Sequence, residues 1–344
     1  MDIESAQHWW QPVPGWLNTA SYGLPPQQAI DELAVATDDW RTGRVSWEGW
    51  DTSTARARAA FARIVGVDAT DVAVGSQVSQ LLAPVAAAIP DRSRVVCVDI
   101  DFTSNLFPWM VHADRGVRVR TVPVSGLVEA AADADVVAFS LVQSATGEVA
   151  DYTEVCRVAR AAGALTVVDA TQACGWLPFD AALADVVVVG AYKWLMSPRG
   201  TGFAYLSPEV RDRFRPIAAG WYAGDDPHGS YYGLPLRLAT TARRFDISPA
   251  WLAWVGTAPA LEVVEQLGVA AIHDHDLSLA NRFRAGLGLP PGDSAIVCVD
   301  VPGAEDRLAA AGVRAAVRAG RVRASFHVYN TVADVDLALA ALTR

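Results

Sequence analysis

Lysine is almost missing from this chain. Of its 28 basic residues, 27 are arginine and one, Lys193, is lysine. On a solvated surface the two cations largely replace each other, so drift toward arginine in an Ala/Val/Arg-rich composition removes lysines at little cost. A lysine that must give up its proton to act as an amine is different, because guanidinium does not deprotonate. Lys193 is therefore either a chance survivor or a position that arginine cannot fill. Cysteine is also scarce. The four present, Cys97, Cys156, Cys174 and Cys298, form no CxxC pair, which argues against a zinc site or a disulfide framework and points to a reduced, cytoplasmic setting. Positive charge is in deficit, with a net charge of -10 and a pI near 5.0, so nucleic acid and anionic membrane are not the expected partners. No run reaches the roughly 18 apolar residues of a membrane span. The opening MDIESAQHWW has no basic stretch followed by an apolar one, so a soluble protein not exported by that route is expected.

What is present is a globular composition, 52% hydrophobic and 19% charged over 344 residues, enough for about two domains at roughly 150 residues each. From about residue 70 to residue 206, apolar β-branched runs alternate with helical patterns, the rhythm of βαβ units on a mostly parallel sheet. Strands are expected at DVAV (71–74), Arg94–Val98, Val117–Val122, Asp135–Leu141, Ala164–Asp169, Asp185–Gly190 and Gly202–Leu206. Helices are expected at Ser76–Ala88, Asn105–Arg115 and Thr153–Ala162. A Gly-, Pro- and Tyr-rich stretch follows, too long for an ordinary connection and so expected to be functional. A helix over Trp251–Gly268 then leads into a smaller α+β unit, with strands near Ala295–Val301 and Arg321–Tyr329 and a closing helix over Ala333–Thr343.

Lys193 stands just past the carboxyl end of the apolar strand VVVVG, the edge where ligands collect in open α/β sheets. Asp169 ends the preceding strand at the same edge. An acid there beside an imine-competent lysine suits pyridoxal phosphate, whose ring nitrogen the carboxylate would keep protonated. Taken alone, Asp169 is equally a helix cap, while for Lys193, placed at this edge, a side chain reaching solvent is the lesser reading. GSQVSQ, following DVAV, offers backbone amides and a hydroxyl at a helix N-terminus, where an anion is favoured, although Gly-Ser before a helix is also an ordinary cap. His273 and His275 in IHDHD are two apart and face different sides of a helix, which argues against a metal pair.

With LNTASYGLPP near the start and RASFHVYNT near the end, these segments make the chain resemble the class V aminotransferase family of fold-type I pyridoxal phosphate enzymes over nearly its whole length. The resemblance implies pyridoxal 5'-phosphate as cofactor. It also implies an α/β fold with a large cofactor domain and a smaller α+β C-terminal domain: an N-terminal arm over 1–45 packing with the small domain, a large domain over 46–245 and the small domain over 246–344. It makes Lys193 the imine lysine, Asp169 the partner of the pyridine nitrogen and Gln172 a donor to the cofactor's phenolic oxygen. Gly75, Ser76 and Gln77 correspond to the phosphate turn, Tyr192 to a residue touching the phosphate, and Phe102 of DFTSNLFPW to the residue stacked on the ring, with Asn105 a local structural residue. Arg323 becomes the clamp for the α-carboxylate of an amino acid substrate, with Ser144 of VQSATG beside it, while His327 reads as structural. A homodimer with active sites at the interface is implied as well.

Two departures narrow the chemistry. The desulfurase branch carries a proton-moving histidine where this chain has Phe102, which can only stack. The mobile cysteine that accepts sulfur would lie in LAAAGVRAAVRAG, and none is there. RRFDISPAW also departs from the Gly-Thr form of the segment that reaches the neighbouring subunit's phosphate, with Ser248 as a substitute. The expectation is a pyridoxal phosphate enzyme of the kynureninase, C–S lyase or epimerase-like branch, with a β-lyase favoured over an aminotransferase or epimerase. A cofactor-fold regulatory protein without turnover is the alternative from a different class. Tyr222 and Tyr232 are expected to shape the substrate pocket.

Overall fold

The computed structural model describes residues 2–343. Seven strands, β1 (Val72–Gly75), β2 (Arg94–Val98), β3 (Arg118–Val122), β4 (Val136–Ser140), β5 (Leu165–Asp169), β6 (Val186–Gly190) and β7 (Gly202–Leu206), form one sheet in the order β1-β7-β6-β5-β4-β2-β3. β2 through β6 pair in parallel, and β7 runs antiparallel to both β6 and β1. The central strands are buried along their whole length because they are covered on both faces, as unbroken Val-rich runs require. Successive residues feed opposite cores. Val137, Phe139, Val168 and Val187 join one with the helices Trp47–Val65 and Trp251–Leu267, while Ala138, Val167, Val186 and Val188 join the other with the helix Val78–Ala88.

The reversed β7 has a consequence for the site. Gly75 pairs with Gly202, which pairs with Gly190, so β1 runs parallel to β6 and ends at the same edge. Ser140 pairs with Asp169 across β4 and β5, so the residues that end four strands share that edge.

Smaller strands β8 (Ile296–Val299), β9 (Ala316–Arg318) and β10 (Arg321–Ser325) form an antiparallel sheet in the order β8-β10-β9. It packs on the helices Val269–Gly286 and Val332–Leu342 through Leu279, Phe283, Val322 and Val335. The N-terminal segment docks here, where Leu17 donates its amide to the Arg314 carbonyl (2.9 Å) and Leu17 O accepts from the Ser325 amide (3.0 Å).

Sequence and structure differ at identifiable places. The helix expected from Ser76 starts at Val78, because Gln77 is extended as its N-cap. The helix expected over Asn105–Arg115 runs Thr103–Met110 and gives way to a short 3-10 turn. Helices Gln27–Thr42 and Trp47–Val65, each ended by a left-handed glycine, and strand β9 are additions to the expected elements. Among the described residues, no single helix is long and apolar enough to cross a membrane.

Candidate functional site

At the carboxyl edge of the sheet is a cavity of about 170 Å³ lined by Ser140, Asp169, Gly190, Tyr192 and Lys193, with Ser76 and Gln77 on one side and Phe102 on another. Lys193 follows β6 in a tight turn in which its carbonyl accepts from the Met196 amide (3.0 Å) and Met196 adopts a left-handed φ of 52°. The N-terminal segment lies against this turn. Gly23 donates its amide to the Tyr192 carbonyl (3.0 Å), and a Cβ there would sit 1.8 Å from the Lys193 carbonyl oxygen, so only glycine fits. The Lys193 side chain is 7% exposed, and its Nζ lies 5.6 Å from the ring centroids of both Phe102 and Tyr192. Burial pulls its pKa down to about 8, against the opposing pull of Asp169, which leaves an amine that both gains and loses protons near neutrality.

Asp169, the last residue of β5, accepts from the Thr171 amide (2.9 Å). Burial pushes its pKa up to about 6, opposed by the Thr171 hydrogen bonds and by Lys193. A second buried carboxylate, Asp101, is absent from the sequence-derived set. It accepts from the Phe102 amide (2.7 Å), Asn105 Nδ2 (2.9 Å), the Ser140 amide (3.0 Å) and the Ser140 hydroxyl (2.5 Å). Asp101 thus ties Phe102 to the end of β4, and burial raises its pKa. The only sequence signal is the Asp-to-Asn spacing in DFTSN, which is also that of an ordinary turn.

Gly75 ends β1, and the Ser76 amide donates to Gln80 Oε1 (3.1 Å), a side-chain oxygen where a helix start presents an N–H to an anion. Gln172 is buried at the cavity wall. Its Nε2 donates to the Ala20 carbonyl (3.0 Å) and the Ser144 hydroxyl (3.1 Å), and its Oε1 accepts from Trp194 Nε1 (2.8 Å). Donation to a cofactor oxygen therefore requires Ser144 to turn away. Arg199 lines the same cavity, with its guanidinium 5.0 Å from the Tyr192 ring centroid; its spacing from Lys193 gave no signal.

Arg323 on β10 comes close to this edge. It donates through Nη1 to the Ser144 carbonyl (2.5 Å) and hydroxyl (3.1 Å), and through Nη2 to the Ser21 hydroxyl (2.7 Å). The residue is 1% exposed, its Nε has no partner among the described residues, and burial with the nearby Arg318 pulls its pKa down to about 10. A buried guanidinium without a carboxylate is costly unless an anion arrives, so this group fits a substrate carboxylate. Lys193 with Asp169, and the Ser76 amide on its stand-in oxygen, likewise fit pyridoxal phosphate.

Other expected residues lie elsewhere. Tyr222 and Tyr232 do not line the cavity, which corrects the pocket role expected of them. Tyr222 donates its phenol to Asp51 (2.5 Å) and meets the Trp221 ring edge-on, and Tyr232 is 89% exposed. Ser248 is exposed. His273 stacks on Trp176, and His275 Nε2 meets the Asn330 carbonyl (3.1 Å). His327 is fully buried, with Nδ1 on Asp276 (2.9 Å) and Nε2 on the Trp194 carbonyl (3.0 Å). Both ring nitrogens lie within hydrogen-bond distance of a partner, and Trp194 places the ring against the Lys193 turn. Asp276→Ala would leave the buried Nδ1 of His327 without its partner, and a loss of about 1–3 kcal/mol is expected, read as a lower urea midpoint. An unchanged midpoint would show that the pair does not hold this region.

The aminotransferase class-V family model matches residues 50–300. An uncharacterized aminotransferase, YcbU, of Bacillus subtilis (strain 168) is 27% identical over 317 residues, spanning 86% of this chain and 84% of that protein. Isopenicillin N epimerase of Streptomyces clavuligerus is 28% identical over 310 residues, 80% and 75% of the two chains. Among solved structures, the cystine C-S lyase C-DES in complex with cysteine persulfide superposes with a TM-score of 0.85 at 19% identity, covering 96% of this chain and 97% of that one, a likeness that shows the shared fold. The parallel sheet, the lysine and carboxylate at its carboxyl edge and the family match over residues 50–300 lead to one assignment: the chain belongs to the aminotransferase class-V family of pyridoxal 5'-phosphate-dependent enzymes.

Proposed function

We propose that the protein is a β-lyase, cleaving a C–S or C–C bond at the β-carbon side of an amino acid substrate. When bound, pyridoxal phosphate supplies an aldehyde that condenses with amines and a ring that draws electrons from the bonds at the substrate Cα. Lys193 would hold the cofactor through its amine and move the Cα proton, a task suited to a pKa near 8. Asp169 would keep the ring nitrogen protonated, and Phe102 would stack on the ring. Gly75, Ser76 and Gln77 would hold the phosphate together with Tyr192, Gln172 would donate to the phenolic oxygen, and Arg323 with Ser144 would orient the α-carboxylate. Preorganised charge and orientation lower the barrier.

The observation that carries the choice of reaction is that no cysteine is among the residues lining the cavity and that the ring at position 102 is a phenyl group, which carries no proton to transfer. The half-buried Cys298 donates its thiol to the Ala145 carbonyl (3.1 Å), and burial raises its pKa, the opposite of a sulfur acceptor. Keto acid or alanine released steadily from a cysteine conjugate or a kynurenine-like substrate, with no amino acceptor added, supports the lyase. An absolute requirement for a keto-acid acceptor would establish the aminotransferase instead, the reading favoured by the likeness to YcbU, and solvent deuterium in recovered substrate would establish an epimerase. A homodimer is part of this reading, supported by the exposed Phe102, Phe107, Met110 and Val111 beside the cavity; sedimentation at the mass of a single chain would contradict it.

The pH dependence of cofactor capture follows from Lys193. Only the neutral amine attacks an aldehyde, so the capture rate of apoprotein is expected to rise about tenfold per pH unit below pH 8 and level off above it. Stopped-flow absorbance reads this directly. A midpoint near the ordinary lysine value would show that the amine is not desolvated.

A further inference from the structure

The segment VRAGRVR folds as a hairpin, with Ala319 and Gly320 at left-handed φ values of 47° and 75° joining β9 to β10. Arg318 pairs directly with Arg321 across the hairpin. Arg323 lies two residues beyond Arg321 in the same strand and so shares that face. Like charges placed opposite each other destabilise a sheet, and neither Arg318 nor Arg323 has an acidic partner among the described residues. Both guanidiniums instead converge on one neutral group: the Ser21 hydroxyl accepts from Arg323 Nη2 at 2.7 Å and from Arg318 Nη2 at 3.4 Å. Arg318 is near enough to the cavity for its charge to act on Lys193. Arg199, the other arginine here, lies over the Tyr192 ring and lines the cavity itself.

Two unneutralised cations on one hydroxyl exceed the needs of a single α-carboxylate. We propose that Arg318, together with Ser21, binds a second acidic group, so that the preferred substrate is an amino acid with a short anionic side chain. This rests on the reading of Arg323 as the α-carboxylate clamp. The buried Arg323 supplies most of the affinity, while the exposed Arg318 supplies discrimination, because it is largely hydrated until an anion meets it.

Two measurements test the proposal. Calorimetry on the apoprotein compares succinate with its monoamide, succinamate, which needs no cofactor. Titration of the cofactor absorbance of the holoenzyme compares aspartate with asparagine and glutamate with glutamine. About tenfold tighter binding of the acidic member is expected, falling toward unity in Arg318→Gln, partly restored in Arg318→Lys and reversed in Arg318→Glu. Equal binding of acid and amide by the unaltered protein, or a preference that survives Arg318→Gln, overturns the proposal. Failure of the cofactor reading shows separately, as holoprotein lacking a borohydride-reducible bond at Lys193, and the apoprotein comparison still decides the role of Arg318.

Discussion

Lys193→Arg is expected to abolish covalent capture of pyridoxal phosphate and to lower turnover by about 10⁴-fold or more, since both the covalent linkage and a general acid/base worth about 10²–10⁴-fold are lost together. The substitution is demanding because it preserves charge and most of the apolar stem, and because arginine serves at all 27 other basic positions of the chain. Guanidinium retains its proton at any working pH, so it neither condenses with an aldehyde nor accepts a proton from Cα. Lys193 is also buried beneath Phe102 and Tyr192, where the bulkier arginine could disturb packing. Lys193→Ala provides the second arm: it removes the same chemistry without overpacking, and the same loss is expected. Retention of a reducible cofactor bond in either variant would remove Lys193 from the reaction. Urea midpoints separate this outcome from unfolding.

Asp169→Asn is expected to leave the fold intact and to cut turnover by about 10²–10³-fold, the scale of removing one preorganised electrostatic partner. The amide is isosteric, and its oxygen can still accept from the Thr171 amide that now donates to Oδ1. What disappears is the negative charge that holds a proton on the ring nitrogen. The unaltered protein should show the same dependence through pH. Burial sets the Asp169 pKa near 6 in the unliganded site, so the carboxylate is charged above pH 6 and progressively neutralised below it. Cofactor affinity of the apoprotein should therefore fall as pH drops through about 6, and Asp169→Asn should flatten that limb. The Lys193 limb near pH 8 remains in the variant; a limb near pH 6 that also persists would assign it to another group, with Asp101, also raised by burial and felt by Asp169, the one to substitute next.

How much could be read in advance depended on the range of the interactions involved. β2 and β7 match their expected bounds, and β3 through β6 lie within theirs; strands buried on both faces, such as β4, β5 and β6, leave a local signature of unbroken apolar residues, while the exposed edge strand β3 shows alternation instead. The helix over residues 27–42 leaves none as clear: Trp40, Val35 and Ile30 stay exposed, so no sharp apolar stripe marks it, and the helix over 47–65 buries mainly small residues such as Ala57, Ala60 and Ala62. Strand β9 is only three residues long. Lys193 and Asp169 are legible because Asp169 ends β5, Lys193 follows the end of β6, and strand ends gather at one edge. The Asp101–Ser140 contact and the meeting of Arg318 with Ser21 join residues 39 and 297 positions apart, and nothing in either segment announces the other. Tyr222 and Tyr232 were misplaced for the opposite reason: an unusual composition marks a loop as special without saying which surface it covers.

The central claim is that the lone lysine is the covalent anchor of the cofactor. Holoprotein reduced with borohydride, digested and mapped by mass spectrometry tests it without knowledge of the substrate. Since Lys193 is the only lysine, the account predicts the pyridoxyl mass on the single peptide containing AYKW, in near-stoichiometric yield. A pyridoxyl group found only on the chain's terminal amine, or no covalent mass on protein saturated with pyridoxal phosphate, would contradict it.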